Sequence, residues 1–269
     1  MPTQSLIKRD WQKQHVYLIT YPRCRLIPSL SPYSLKLETW LRVNEIPYTA
    51  ISNDFKRYSS RGQVPFVELN GRALSDSNII IETLKHDFKK DPDTSVPSKK
   101  ARERAILALV EDEFTPAFTA YRQQDLSFPF SDDGWGRLLG QGLKKRLFKW
   151  WHERKIKAYY KKYTLAQGMG VHAPEELETV LKEDINAIAT LLGDKPYFGG
   201  DTPATIDCVV FGHLAAIIYT PTPNGIVTKY LKENKPNLAE FAARMKEKFW
   251  PDWEDTCRTM DMNTHHKTN

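Results

Sequence analysis

Hydrophobic positions change their spacing once along the chain, near residue 90. Before that point, short apolar runs are separated by turn residues, which predicts strands mixed with helices. Residues 16–20 (Val-Tyr-Leu-Ile-Thr) make a first strand. Ser31-Pro32-Tyr33-Ser34 then opens a helix, with Ser31 suited to the N-cap and Pro32 to the first helical position; Leu35, Leu37, Leu41 and Val43 are its apolar residues. Residues 48–51 predict a second strand and 66–69 a third. Asn70-Gly71 predicts a tight hairpin, because both residues tolerate positive φ, and 72–74 the returning strand. Asp76 or Ser77 caps a helix carrying Ile80, Ile81, Leu84 and Phe88. Residues 1–14 are polar, lack the apolar core of a signal peptide, and are expected to be a poorly ordered leader.

After a polar linker at 89–100, which contains Pro92 and Pro97, every segment reads as helix. Residues 98–124 predict one long amphipathic helix kinked at Pro116. Residues 143–163 form a basic, aromatic helix, and another starts at Pro174 and ends near Gly193. The span 207–219 is apolar almost throughout and predicts the buried central helix. Residues 236–250, with Leu238, Phe241, Met245 and Phe249, close the bundle. Two domains follow: a mixed α/β unit at 15–88 and an all-helical unit at 98–255.

Composition narrows the class. Of 269 residues, 41% are hydrophobic and 27% charged, as expected of a globular protein with ample core. No stretch approaches the about 18 uncharged apolar residues of a membrane span. Cys24, Cys208 and Cys257 are odd in number and far apart, which points to a reducing, cytoplasmic setting without a disulfide framework. No Cys/His spacing suggests a metal. The net charge of +6 permits contact with anionic surfaces without requiring it.

Pro65 opens a strand although it cannot donate a backbone hydrogen bond, which leaves Val64 to present its N–H and C=O to an extended peptide. Asp76 and Ser77 stand at a helix N-terminus, where free N–H groups and the positive dipole end make a polar site. This arrangement resembles the glutathione-binding half of the glutathione transferases, a thioredoxin-like fold followed by an all-helical domain. The resemblance implies that Val64, before cis-Pro65, pairs with the cysteinyl backbone of glutathione. It also implies that Asp76 and Ser77 hold the γ-glutamyl end and Gln63 the glycyl end.

Further motifs sharpen the likeness. Residues 28–39, the run 193–203 before the buried helix, Cys208-Val209-Val210-Phe211-Gly212-His213-Leu214 and Phe249-Trp250-Pro251-Asp252-Trp253 are similar to the failed axon connections family. That family is a transferase-like group related to metaxins and to cadmium-responsive proteins. Asp207 matches the acidic end of the transferase Ser/Thr-x-x-Asp capping box, but Ala204 stands where the hydroxyl belongs. Thr205 or Thr202 is a substitute for it.

Thiol transfer needs a group that keeps glutathione as thiolate. Ser31 is one candidate, standing where redox relatives carry the first cysteine of Cys-Pro-Tyr-Cys; its plain alternative is a helix cap. Both cysteines of that motif are serine here, which excludes dithiol chemistry through it. Tyr21 is a second candidate, at the place of the phenol in tyrosine-type transferases. Cys24 is a third, because Arg23 and Arg25 would favour its thiolate. Phe114, Phe118 and Tyr121 are either core or the lining for a small hydrophobic or electrophilic second substrate. His213 reads as a core histidine. Residues 144–163 interleave Lys and Arg with Trp and Tyr. Leu143, Leu147, Trp150 and Trp151 fall near one face and read first as a bundle contact with snorkelling lysines, and second as an anionic-membrane surface; nucleic acid is not expected. A homodimer is a further expected association. Two functions therefore stand side by side: a glutathione-binding transferase, and a non-catalytic, metaxin-like interaction module.

Overall fold

The computed structural model describes residues 6–90, 96–139, 142–260 and 262. Part of the expected 89–100 linker lies outside these residues, as do the side chains of Lys144 and Lys145 in the basic segment. Four strands, β1 (Val16–Thr20), β2 (Tyr48–Ser52), β3 (Phe66–Leu69) and β4 (Arg72–Ser75), form one sheet in the order β2-β1-β3-β4. β1 runs parallel to β2, with Val16 opposite Tyr48, and antiparallel to β3, with Ile19 opposite Phe66. β3 and β4 make the Asn70-Gly71 hairpin, both turn residues at positive φ. β1 is buried at every position, which explains why its residues do not alternate with polar ones.

One sheet face packs on α1 (Pro32–Val43) and α2 (Ser77–Asp87). The opposite face presents Tyr17, Ile19, Ile51 and Phe66, with Ile7 and Val64 against them. Residues 6–14 are therefore docked chain, not the poorly ordered leader expected. The Ile7 and Lys8 amides donate to the Glu68 carboxylate at 2.7 and 2.8 Å, the Gln12 amide to the Tyr17 hydroxyl at 3.0 Å, and the Gln14 amide to Asn70 Oδ1 at 2.8 Å. The donors are backbone groups, which no side-chain pattern announces.

The remaining helices are α3 (Pro97–Ala108), α4 (Thr115–Arg122), α5 (Gly142–Ala166), α6 (Pro174–Leu192), α7 (Thr205–Tyr219), α8 (Ile226–Asn234), α9 (Pro236–Phe249) and α10 (Trp253–Thr259). Between α3 and α4 lies a π-helical turn, Leu109–Phe114, where the sequence predicts a kink at Pro116. Pro116 has no N–H, and the Thr115 amide already reaches back five residues to the Val110 carbonyl, so the wider turn absorbs the proline. The short helices α8 and α10 have no counterpart in the sequence reading.

α7 is the buried centre, packed on α1 through Gly212. A Cβ at Gly212 would meet the Lys36 nitrogen at 2.7 Å and the Pro32 carbonyl at 2.8 Å, so only glycine permits this approach. Asp207 is structural. Its carboxylate accepts from the amides of Phe198 (2.6 Å), Gly199 (3.0 Å) and Ala204 (2.9 Å), fastening the preceding turn to the helix. The Thr205 hydroxyl, next to Ala204, accepts from Trp40 Nε1 and so ties α7 to α1.

A charged ladder joins the two halves. Arg23 and Glu38 pair through two bonds of 2.7 and 2.6 Å, Tyr48 donates to Glu38, and Arg42 donates to both Tyr48 and Asp252 while stacking 3.7 Å from the Trp250 ring centre. The Trp250-Pro251-Asp252-Trp253 run thus latches the bundle's end to α1.

Asp184 on α6 is buried, and its Oδ2 has no hydrogen-bond partner among the described residues. Burial, then the nearby Glu113 and Glu183, pushes its carboxyl up to about 7. The folded state therefore holds this proton more tightly than the unfolded one. The associated stability is present below about pH 4 and is lost as pH rises through about 7. Asp184→Asn should match wild type near pH 4 and exceed it at about pH 8, by on the order of 1–3 kcal/mol in thermal or urea unfolding. A difference that does not change with pH contradicts this account.

Candidate functional site

The strand register brings the scattered motif residues to one end of the sheet. Phe66 pairs with Ser75, so Val64-Pro65 just before β3 and Asp76-Ser77 just after β4 lie together. Ile19 opposite Phe66 sets the exit of β1 there too, and the chain returns from it to Ser31 at the start of α1. Two helix N-termini therefore meet at this end.

Val64-Pro65 is a cis peptide bond. Val64 is half-buried, and its amide and carbonyl have no hydrogen-bond partner among the described residues. Asp76 has φ +79°, and its Oδ1 accepts from the Asn78 and Ile79 amides at 3.0 and 3.3 Å, capping α2. Its Oδ2 faces Arg61 at 3.3 Å across a largely exposed gap. Ser77 is buried, and its hydroxyl is unpartnered among the described residues. Gln63 is exposed, in a turn closed by the Ser59 amide bonding to its carbonyl. Ser31 caps α1, accepting the Ser34 amide at 3.3 Å, which leaves its own proton to donate elsewhere.

The other candidates are placed differently. Tyr21 lies in an aromatic cluster with Trp135, Phe55 and Tyr58, ring centres 5.3 to 6.5 Å apart. Burial holds its phenol well above the ordinary range, and the nearby Tyr58 adds to the effect. Cys24 corrects the expectation of an arginine-activated thiolate. It is fully buried, burial raises its thiol well above normal, and the Arg23 charge offsets this only weakly because Arg23 is paired with Glu38. Phe114, Phe118 and Tyr121 are also corrected: all three belong to the buried core, and the Tyr121 hydroxyl bonds to Pro223 and Asn224.

A buried polar cluster that the sequence reading missed lies directly behind Asp76-Ser77. Lys36 Nζ donates to Glu111 Oε1 at 2.6 Å and to Asn78 Oδ1 at 2.9 Å, while Asn78 Nδ2 donates to Glu111 Oε2 at 2.7 Å. These three residues come from α1, α2 and the π-helical turn. Burial opposes ionisation of Glu111, but His213 and Lys36 outweigh it and hold its carboxyl at about 2. Burial lowers Lys36, with Glu111 opposing. The Thr115 hydroxyl donates to the Val110 carbonyl and lies 2.6 Å from His213 Nδ1. His213 Nε2 stands 3.6 Å from the Glu111 carboxylate; burial lowers the imidazole's pKa and Glu111 opposes the shift. Tyr33 closes the cluster, edge-on to His213, and burial, then the nearby Tyr163 of α5, raises its phenol.

Sheet order, cis-proline and capped α2 define a glutathione-transferase fold, thioredoxin-like first and helical second. Family comparison agrees: glutathione S-transferase N-terminal domains match residues 32–126 and C-terminal domains match 181–245. The chain thus carries both glutathione S-transferase domains and is similar to failed axon connections and the metaxins. Failed axon connections of Drosophila melanogaster is 33% identical over 96% of the chain, which spans 63% of that protein's length. Isoprene-epoxide–glutathione S-transferase of Rhodococcus is 28% identical over 83% of the chain and 94% of its own. Metaxin-2 of Mus musculus is 25% identical over 82% of each. Two solved structures share the fold. A beta-etherase from Sphingobium has TM-score 0.59 at 16% identity, covering 91% of this chain and 98% of its own. A glutathione S-transferase of Ceriporiopsis subvermispora, solved with glutathione, has TM-score 0.59 at 15% identity, covering 86% and 96%.

The Lys36–Asn78–Glu111 cluster makes a testable claim. Glu111→Gln leaves a buried ammonium without its counter-charge and should cost about 3 kcal/mol. Asn78→Asp alone sets two carboxylates together and should also destabilise. The double variant moves the single charge from one acceptor to the other and should recover most of the loss, with a coupling of about 1–3 kcal/mol in urea unfolding. Additive losses would show that the three groups do not act as one unit.

Proposed function

We propose that the chain binds glutathione at the end of the sheet, between Val64-Pro65, Asp76-Ser77 and the start of α1. The observation that carries this reading is the unpartnered amide and carbonyl of half-buried Val64, an antiparallel hydrogen-bonding pair suited to a peptide backbone. Asp76 would take the γ-glutamyl ammonium, Ser77 its carboxylate, and Gln63 the glycyl end. The thiol would then lie toward Ser31, whose hydroxyl and helix dipole favour the thiolate. That thiolate would attack an electrophilic carbon, forming the S–C bond as the leaving group takes the bonding pair. The relatives named for glutathione transfer support the reading at the level of family.

A non-catalytic role is the second reading. It is favoured by the withdrawal of Tyr21 and Cys24 into the core, which leaves Ser31 as the single hydroxyl or thiol of the three candidates at the cleft.

Glutathione at 100 times its Kd should stabilise the protein by about 2.7 kcal/mol, read as a rise in Tm. Asp76→Asn keeps the cap and tolerates positive φ but removes the charge, so it should lose the shift while the unliganded Tm changes little. No shift at millimolar glutathione overturns the binding reading. If binding holds, Ser31→Ala should slow conjugation of a model electrophile about tenfold or more, and Tyr21→Phe should leave the rate nearly unchanged. A rate unaffected by Ser31→Ala leaves the binding module without serine-based catalysis.

A further inference from the structure

The structure overturns the bundle reading of the basic helix. α5 turns His152, Ile156, Tyr160, Tyr163 and Thr164 inward, at helical spacing. The residues expected to face the bundle point the other way: Leu143, Leu147, Trp150 and Trp151 are 69%, 59%, 58% and 52% exposed. They stand at i, i+4, i+7 and i+8, one continuous stripe over the first turns. Arg146 and Lys157 border it on one side and Lys155 and Lys162 on the other, while Arg154 and Lys161 continue the same face; all six are exposed. Arg154 and Lys155 lie 5.1 Å from the rings of Trp150 and Trp151, so their charge sits at the stripe's edge.

Charge is concentrated here to an unusual degree. α5 carries nine Lys or Arg against one acid, Glu153, which Lys157 pairs at 2.9 Å. That is eight net positive charges in a chain whose total is +6, so the rest of the chain is net −2. A large apolar stripe with basic borders meets the requirements of a helix lying in a membrane interface: side chains that enter the headgroup region, and cations that meet anionic lipid. A second copy of the chain docking by the same face would bring two such basic helices together, which charge opposes. No described helix is long and apolar enough to cross a membrane.

We propose that the outer face of α5 is a membrane-surface site, seated on an anionic lipid bilayer through Leu143, Leu147, Trp150 and Trp151. It goes beyond the glutathione reading and does not depend on it, because these residues line the outside of the helix whose inner face carries Tyr163 toward the cleft.

Co-sedimentation of the full chain with phosphatidylcholine vesicles, with and without phosphatidylserine, tests it. Binding is expected to the mixed vesicles at low salt and not to pure phosphatidylcholine. It should weaken by roughly tenfold or more when ionic strength rises from about 0.05 to 0.5 M, as the Debye length falls several-fold. Trp150→Glu with Trp151→Glu should abolish it with an unchanged Tm, since both side chains are exposed. Arg154→Glu, Lys155→Glu and Lys161→Glu should each weaken it about fivefold. Wild-type protein remaining in the supernatant at low salt overturns the proposal. So does binding that survives the double tryptophan variant. A chain that is dimeric by light scattering and monomeric in that variant also overturns it, assigning the face to a second copy.

Discussion

The Glu111 carboxylate is the point on which both halves of the molecule depend. It takes hydrogen bonds from Lys36 on the helix after β1 and from Asn78 on the helix after β4. One buried charge thus ties the two helices that form the site to the π-helical turn of the second domain. Burying an ammonium and a carboxylate is costly unless each is fully met by partners, and here Asn78 supplies the extra donor and acceptor. The π turn matters for the same reason, since Glu111 lies within its wider spiral and Pro116 is accommodated just beyond it.

Around that pair the domain contact is polar at its centre and apolar on either side. Gly212 lets α7 approach the backbone of α1 as closely as atoms allow, so the buried helix of one half is flush against the first helix of the other. The Arg23–Glu38–Tyr48–Arg42–Asp252 ladder closes the far edge. Charged groups drawn into such a contact are no longer available for chemistry. Arg23 serves Glu38 rather than the neighbouring Cys24 thiol, and Lys36 serves Glu111 from a position fully shielded from solvent.

The cleft side and the α5 side put the same chain to different uses. At the cleft, polar groups converge, and the unpartnered atoms among the described residues are the Val64 amide and carbonyl and the Ser77 hydroxyl. On α5 the unpartnered surface is side chain, apolar and basic. Tyr163, on the inner face of that helix, reaches Tyr33 at the start of α1, so the two regions share one structural element without sharing residues.

Much of the fold was legible in the chain because local rules decide it. The Asn70-Gly71 hairpin, Ser31 and Pro32 at a helix start, Asp76 before α2 and the apolar run of α7 each carry their own conformational preference. The Val64-Pro65 and Asp76-Ser77 pairs could be matched to a transferase site for the same reason. Tertiary structure alone decided where long-range partners meet. Docking of residues 6–14 rests on backbone amides reaching Glu68, about sixty residues away, and the Lys36–Asn78–Glu111 cluster joins three segments that no periodicity links. The direction of α5 was open in sequence, since apolar side chains lie on more than one side of that helix; packing chose His152, Ile156 and Tyr160 as the inner face and left Trp150 and Trp151 outside. Cys24 shows the same limit. Its flanking arginines argued for a thiolate, and only burial, which disfavours the charged form whatever its neighbours in sequence, made it an inert core thiol.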